Sequence, residues 1–169
     1  MIGSESLNAT RNGLSQAASR CQASRFAAEA GSSGVVGTSV GIEALSRGAA
    51  AATFVERSGP ALAGIRHNLE VTGLAARAEV IGRDVFGYLR GVPVPFDVIF
   101  VAPPQWKGLW PRAVALLDRE PGWLAGGGVA VAQHDPAESV PLDLAHLELT
   151  GERTYGRVRF TFFAVRAPG

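Results

Sequence analysis

Residues 96 to 110 read FDVIFVAPPQWKGLW, and their most distinctive residues are Pro103, Pro104, Gln105 and Trp106. Before them, Val98, Ile99, Phe100 and Val101 reserve no position for a solvent-facing side chain, which is the pattern of a parallel strand buried on both faces. Neither proline can donate a ladder hydrogen bond, so pairing must stop there and the chain must leave the sheet at its carboxyl edge. Open α/β sheets bind their ligands along that edge. An amide and an aromatic placed directly after the prolines are therefore candidates for contact with a ligand, although Trp106 would also serve as a core aromatic covering the sheet.

Three more candidates fall at ends of predicted strands. GVVGTSVGIEALSRGAA, residues 34 to 50, sets Gly37, Thr38, Ser39 and Gly41 before or within a helix start, where small residues let backbone N–H groups approach a ligand at a positive helix end. Glu56 closes the strand ATFVE and can accept two hydrogen bonds from ribose hydroxyls, or simply be solvated. Asp84, in IGRDV, is equally suited to cap the helix that follows it.

The elements that must position these residues alternate. The pattern predicts a helix opening at Gly41, a strand over 52–56, a helix over about 59–72, a strand over 78–82, a short helix over 84–90, the proline-terminated strand, a helix over about 109–118 and a strand over 129–134. Ser58 is the expected cap of the second helix, with Leu62, Ile65 and Leu69 on one face and Gly73 just past its end. Such alternation means parallel βαβ units with right-handed crossovers. The last segment, LAHLELTGERTYGRVRFTFFAV, has two β-rich runs about a polar turn and predicts an antiparallel hairpin closing the sheet. Residues 1–34 show no sustained period and read as a poorly ordered arm, with one short helix near 14–29, ahead of a single domain over 35–169 in which Val35 and Val36 are the only strand formers before the small-residue loop.

Composition narrows the function classes. The chain has 169 residues and a formal net charge of +1, and 15 of its 16 basic residues are arginine, which favours bidentate contact with phosphate or carboxylate over bulk charge. The single Cys21 excludes an internal disulfide and a cysteine-based zinc site, and His67, His134 and His146 are too scattered to suggest a metal set. No metal, no membrane span, a reducing cytoplasm and a monomeric state are expected.

In order and spacing, VGIEALSRGAAAATFVE, FDVIFVAPPQWKGLW, WLAGGGVAVAQH and ERTYGRVRFTFF resemble the RsmD family of S-adenosylmethionine-dependent ribosomal RNA guanine-N2 methyltransferases, over about Gly37 to Val165. The resemblance implies a Rossmann-like class I methyltransferase fold. It further implies that Gly37, Thr38, Ser39 and Gly41 line the methionine part of S-adenosyl-L-methionine, that Glu56 binds the ribose and that Asp84 contacts the adenine amino group. The loop Ala102, Pro103, Pro104, Gln105 and Trp106 would hold the target guanine of small-subunit ribosomal RNA. Carbonyls at Ala102 and Pro103 and the Gln105 amide would draw on the N2 hydrogens, while Trp106 offers a stacking face to an extruded base.

This sequence departs from that family at two places. Ala102 stands where members commonly have Asp or Asn, and residues 1–36 lack the basic hairpin, the acid-ended first strand and the A-G-x-G loop. Two other function classes remain open: a methyltransferase-like RNA-binding or ribosome-assembly factor impaired in catalysis, and a nicotinamide-dependent reductase, whose G-x-G-x-x-G spacing this chain does not contain.

Overall fold

The computed structural model describes residues 25–30 and 36–167, with side chains from Ser39 onward. Strand and helix alternate as β1 (Arg25–Ala30), α1 (Val36–Ser46), β2 (Ala51–Glu56), α2 (Gly59–Val71), β3 (Ala78–Gly82), α3 (Val85–Tyr88), β4 (Phe96–Ala102), α4 (Leu109–Arg119) and β5 (Leu124–His134). The hairpin β6 (Leu147–Tyr155) and β7 (Val158–Val165) follows. Seven strands form one sheet in the order β3-β2-β1-β4-β5-β7-β6. Strands β1 to β5 are mutually parallel, whereas β7 runs antiparallel to both β5 and β6.

The predicted α/β architecture is thus present, but it begins earlier than expected. Strand β1 is Arg25–Ala30, between β2 and β4 at the centre of the sheet, and Val36 opens α1 instead of belonging to a strand. The sequence RFAAEA has little β-propensity of its own, and pairing along both edges decides its conformation. Of the helix expected near residues 14–29, residues 25–29 are strand, while 14–24 lie outside the described residues along with the rest of the expected arm up to Arg25. An acid, Glu29, consequently sits in register with Val55 of β2 and Val101 of β4, one residue before the end of the central strand.

Alternate residues of the central strands feed two apolar layers. Ile99, Val101, Ala130, Ala132 and Phe163 pack with Trp110, Ala113, Val114 and Leu117, which recur at helical spacing along α4. On the other face, Phe54, Phe100 and Val131 pack with Leu45 of α1 and with Ile65 and Leu69 of α2. Each buried Val, Leu, Ile or Phe among them contributes about 1.5–3 kcal/mol relative to exposure. Helix α2 carries Pro60 in its first turn and is capped by Thr72, with Gly73 at φ +69° past it. Ser58 occupies its N-cap position but makes no side-chain cap bond.

Strand β5 starts at Leu124, five residues before its predicted start, because GGG is accommodated inside it as an irregularity: Phe96 pairs with Leu124, but Val98 pairs with Val129. A Cβ on Gly128 would lie 2.9 Å from the carbonyl oxygen of Phe96, so that crossing needs glycine. Strands β3 and β6 form the two edges, and β6 carries its own register shift between Leu149 and Gly151. None of the described helices is long and apolar enough to cross a membrane.

Candidate functional site

Parallel pairing brings strand ends together. Glu56 pairs with Gly82 and Ala30 with Ala102, so the carboxyl ends of β1, β2, β3 and β4 all lie along one edge of the sheet. The backbone N–H of Arg83 donates to the Glu56 carbonyl at 3.0 Å, tying the β3 exit to the β2 exit. Glu56, Asp84 and the proline loop therefore share one rim, as their order in the sequence suggests.

Glu56 is 3% exposed, and its two oxygens are treated differently. Oε1 accepts the backbone N–H groups of Arg57 at 2.8 Å and Ser58 at 2.7 Å, where β2 turns into α2. The N–H of Ser58 is thus spent on Glu56. Oε2 is buried and has no hydrogen-bond partner among the described residues. A buried carboxylate oxygen left unpaired costs about 1–3 kcal/mol or more, so this one is suited to a hydroxyl donor brought by a ligand.

Asp84 is the N-cap of α3, where its Oδ2 accepts the N–H of Gly87 at 3.0 Å. Gly37, Thr38 and Ser39 lie in the first turn of α1, with Ser39 exposed. Gly41 is buried in the next turn, and a Cβ there would stand 2.4 Å from Cε1 of Phe54. Its missing side chain lets α1 lie close on β2, a packing requirement that accounts for glycine at this position.

Ala102 ends β4, Pro103 is buried, Pro104 is half-buried, and Gln105 and Trp106 are exposed. Trp106 is 61% exposed and has φ +63°, the left-handed region that side-chain-bearing residues rarely enter. Its ring is therefore a surface feature and does not cover the core. The backbone N–H of Trp106 donates to Oε1 of Glu138, in the turn Pro136–Glu138 after β5, and Oε2 of Glu138 is buried without a partner among the described residues.

Glu138 is a site residue that no residue type or spacing in HDPAES marked out. Topology was the available signal: β5 lies beside β4, so the turn leaving β5 must adjoin the loop leaving β4. That turn is itself fixed. Asp135 Oδ1 accepts the N–H of Ala137 at 2.9 Å, and the 1% exposed His134 lies with Nδ1 2.9 Å from the Asp135 carbonyl and Nε2 2.9 Å from Thr161 Oγ1. Because a carbonyl can only accept, Nδ1 carries a proton. Trp110 stacks on the His134 ring with centroids 4.1 Å apart, so this histidine belongs to the framework under the site. Among the described residues, no group of three or more His, Cys, Asp or Glu could hold a metal ion.

The profile of the family described as "Conserved hypothetical protein 95" matches residues 27–164. The chain is 30% identical over 130 residues to "Ribosomal RNA small subunit methyltransferase D" of Escherichia coli strain K12, an alignment covering 77% of this chain and 65% of that protein. The chain thus spans just under two thirds of that relative's length. Among solved structures, "Putative methyltransferase yhhF" of Escherichia coli superposes with a TM-score of 0.75 at 24% identity, covering 94% of this chain and 86% of the other. The "putative methylase HI0767" of Haemophilus influenzae does so with a TM-score of 0.73 at 26% identity, covering 92% and 95%. The sheet is that of the Rossmann-like class I methyltransferases, and a methyl donor of the S-adenosylmethionine type is what such relatives imply. With its profile matched across both core layers and all seven strands, the chain belongs to the family described as "Conserved hypothetical protein 95", the RsmD-like family its motifs resemble.

Proposed function

We propose that the chain is an S-adenosylmethionine-dependent RNA methyltransferase that modifies the exocyclic N2 of a guanine in small-subunit ribosomal RNA. The observation that carries this reading is the divided carboxylate of Glu56: one oxygen is held by two backbone N–H groups, and the other is buried without a partner among the described residues. A carboxylate fixed in this way presents one charged acceptor in a set direction, which suits a ribose hydroxyl. Asp84, on the same rim, would face the adenine end, and the first turn of α1 the methionine end. When bound, the cofactor supplies an electrophilic sulfonium methyl.

The chain's own part is to position the acceptor. A guanine N2 lone pair is delocalised into the ring, so in-line attack requires the amino hydrogens to be drawn on while the base is held still. Carbonyls at Ala102 and Pro103 lie beyond or at the end of the ladder, Gln105 is exposed, and Trp106 turns its ring outward. This arrangement supports a seat for an extruded base, with acceptors on its edge and an aromatic under its face.

The test combines calorimetric titration of S-adenosylmethionine into wild type and Glu56→Gln with single-turnover methylation of small-subunit ribosomal RNA. Gln can accept the Arg57 and Ser58 N–H groups with its carbonyl but puts an NH2 where Oε2 stands, so affinity should fall about tenfold with the fold intact. Equal affinities would remove Glu56 from the site. Cofactor binding without any methyl transfer by the wild type would favour the catalytically impaired assembly factor.

A further inference from the structure

The tip of the β6–β7 hairpin lies at the same end of the sheet as the proline loop. Tyr155 pairs with Val158 across Gly156, which takes φ +59° to close the turn. Further along β7, Arg159 pairs with His134, the last residue of β5. The tip therefore extends past the carboxyl end of β5, beside the turn at 135–138. That turn holds both neighbours: Glu138 Oε1 takes the Trp106 N–H, and Asp135 Oδ2 lies 3.7 Å from Nε of Arg157. One exposed aromatic, Trp106 at 61%, is thus bonded to this turn through its backbone, and a second, Tyr155 at 67%, lies in the hairpin tip whose Arg157 reaches the same turn. Tyr155 meets Phe160 edge-on, with centroids 6.2 Å apart, a contact that orients its ring without burying it. Around them are exposed Lys107, exposed Arg153 and Arg157, whose side chain is 88% exposed.

We propose that this tip, through Tyr155 and Arg157, is a second RNA contact that grips a nucleotide next to the one presented to the proline loop. The inference rests on the RNA methyltransferase reading and adds a surface to it. Aromatic faces interleaved with arginine and lysine suit single-stranded nucleic acid, because every base offers a π-face and every linkage a phosphate. The Arg157 ion pair with Asp135 is long and solvent-exposed on the arginine side, and Asp135 retains the Ala137 N–H when the guanidinium turns to a phosphate. The pairing of Arg159 with His134 and its 2.9 Å bond to Ser139 Oγ hold the hairpin beside the 135–138 turn without Arg157, and Glu138 ties the proline loop to the same turn, so the two lie along one continuous surface.

The test is fluorescence anisotropy with a labelled, guanine-containing single-stranded RNA oligonucleotide, titrated at several salt concentrations, with S-adenosylmethionine affinity and thermal unfolding as controls for the fold. Tyr155→Ala should weaken RNA binding about 5- to 100-fold while Tyr155→Phe stays near wild type, because the ring does the stacking. Arg157→Ala should lower the slope of log affinity against log salt by about 0.7, and Arg157→Lys should preserve it. The proposal is overturned if the wild type binds the RNA, Trp106→Ala weakens it, and Tyr155→Ala and Arg157→Ala match wild type in affinity and slope. A wild type that binds S-adenosylmethionine but no RNA at any salt would overturn the RNA reading itself, and this contact with it. A preference for an acidic peptide over the oligonucleotide would also overturn it.

Discussion

Oε1 of Glu138 accepts the backbone N–H of Trp106, the one residue other than glycine that has positive φ among the described residues. A left-handed backbone at a bulky residue costs about 1–2 kcal/mol, and it persists where the surroundings enforce it. Here the cost turns an indole ring outward. Glu138→Ala should release the loop and lower single-turnover methylation at least about tenfold with cofactor affinity unchanged, a loss of positioning in the sense of misaligned reactants. Glu138→Gln retains an acceptor for the Trp106 N–H and should stay closer to wild type. Trp106→Gly should leave thermal stability unchanged or raise it by up to about 1 kcal/mol while RNA affinity drops. Stability lost in Trp106→Gly would mean that the ring contributes packing, against its exposure.

Gly41 offers a sharper packing test. A methyl group there would enter the ring of Phe54, which is 0% exposed and has no room to withdraw. Gly41→Ala should therefore destabilise by about 1–3 kcal/mol in urea unfolding, and a compensating Phe54→Leu should recover part of that loss. Additive effects in the double variant would show that the two positions do not interact.

Asp118, on the last turn of α4, is buried and accepts the N–H groups of Ala145, His146 and Leu147 at 3.0, 2.8 and 2.7 Å. Burial alone would raise its pKa, but the three backbone donors, helped by the nearby His146 charge, hold it below the ordinary 3.8. A carboxyl depressed on folding adds stability that is fully present above its unfolded pKa and disappears as pH falls through the lower folded value. Asp118→Asn should cost about 1.5–3 kcal/mol at pH 7, and the gap from wild type should shrink as pH drops through and below 3.8. A gap that stays constant between pH 7 and pH 3 would mean the charge is not what matters.

Truncation tests how far the sheet depends on residues 1–24 and on β1. Removing residues 1–24 should leave the unfolding midpoint nearly unchanged, since their Ser-, Ala- and Gly-rich composition offers few apolar contacts. Removing residues 1–30 takes away β1, which pairs with both β2 and β4, and should abolish cooperative unfolding by circular dichroism. Equal midpoints for the two truncations would mean that β1 is dispensable to the sheet.

Elements with a strong periodic signal were legible in the sequence. The apolar run ending at Pro103, the Leu62–Ile65–Leu69 face and the hairpin each stand where pattern alone placed them, because burial on a fixed face leaves a record in residue type. Strand β1 left no such record: RFAAEA gains its strand from two neighbours, and neither propensity nor alternation betrays it. The same limit hid Glu138, whose contact with Trp106 comes from β5 lying beside β4 and joins residues 32 apart in sequence. Glu56 was legible as an acid at a strand end, but the unequal treatment of its two oxygens was not, since that depends on how tightly the backbone turns at Arg57 and Ser58.

The register shift in β6 reaches beyond this molecule. As an edge strand, β6 has a row of N–H and C=O groups on one side with no strand of the described residues beside it, and a long flat edge of that kind recruits strands from other copies into aggregates. Between Leu149 and Gly151 the pairing slips, so the edge is kinked near its middle. Glu148, Glu152 and Arg153 are exposed along it and bring charge that an incoming strand would have to desolvate. Straightening this edge, for instance by deleting Thr150 and replacing Glu148 and Glu152 with valine, should turn a self-limiting sheet into one that adds strands from its neighbours and precipitates on concentration.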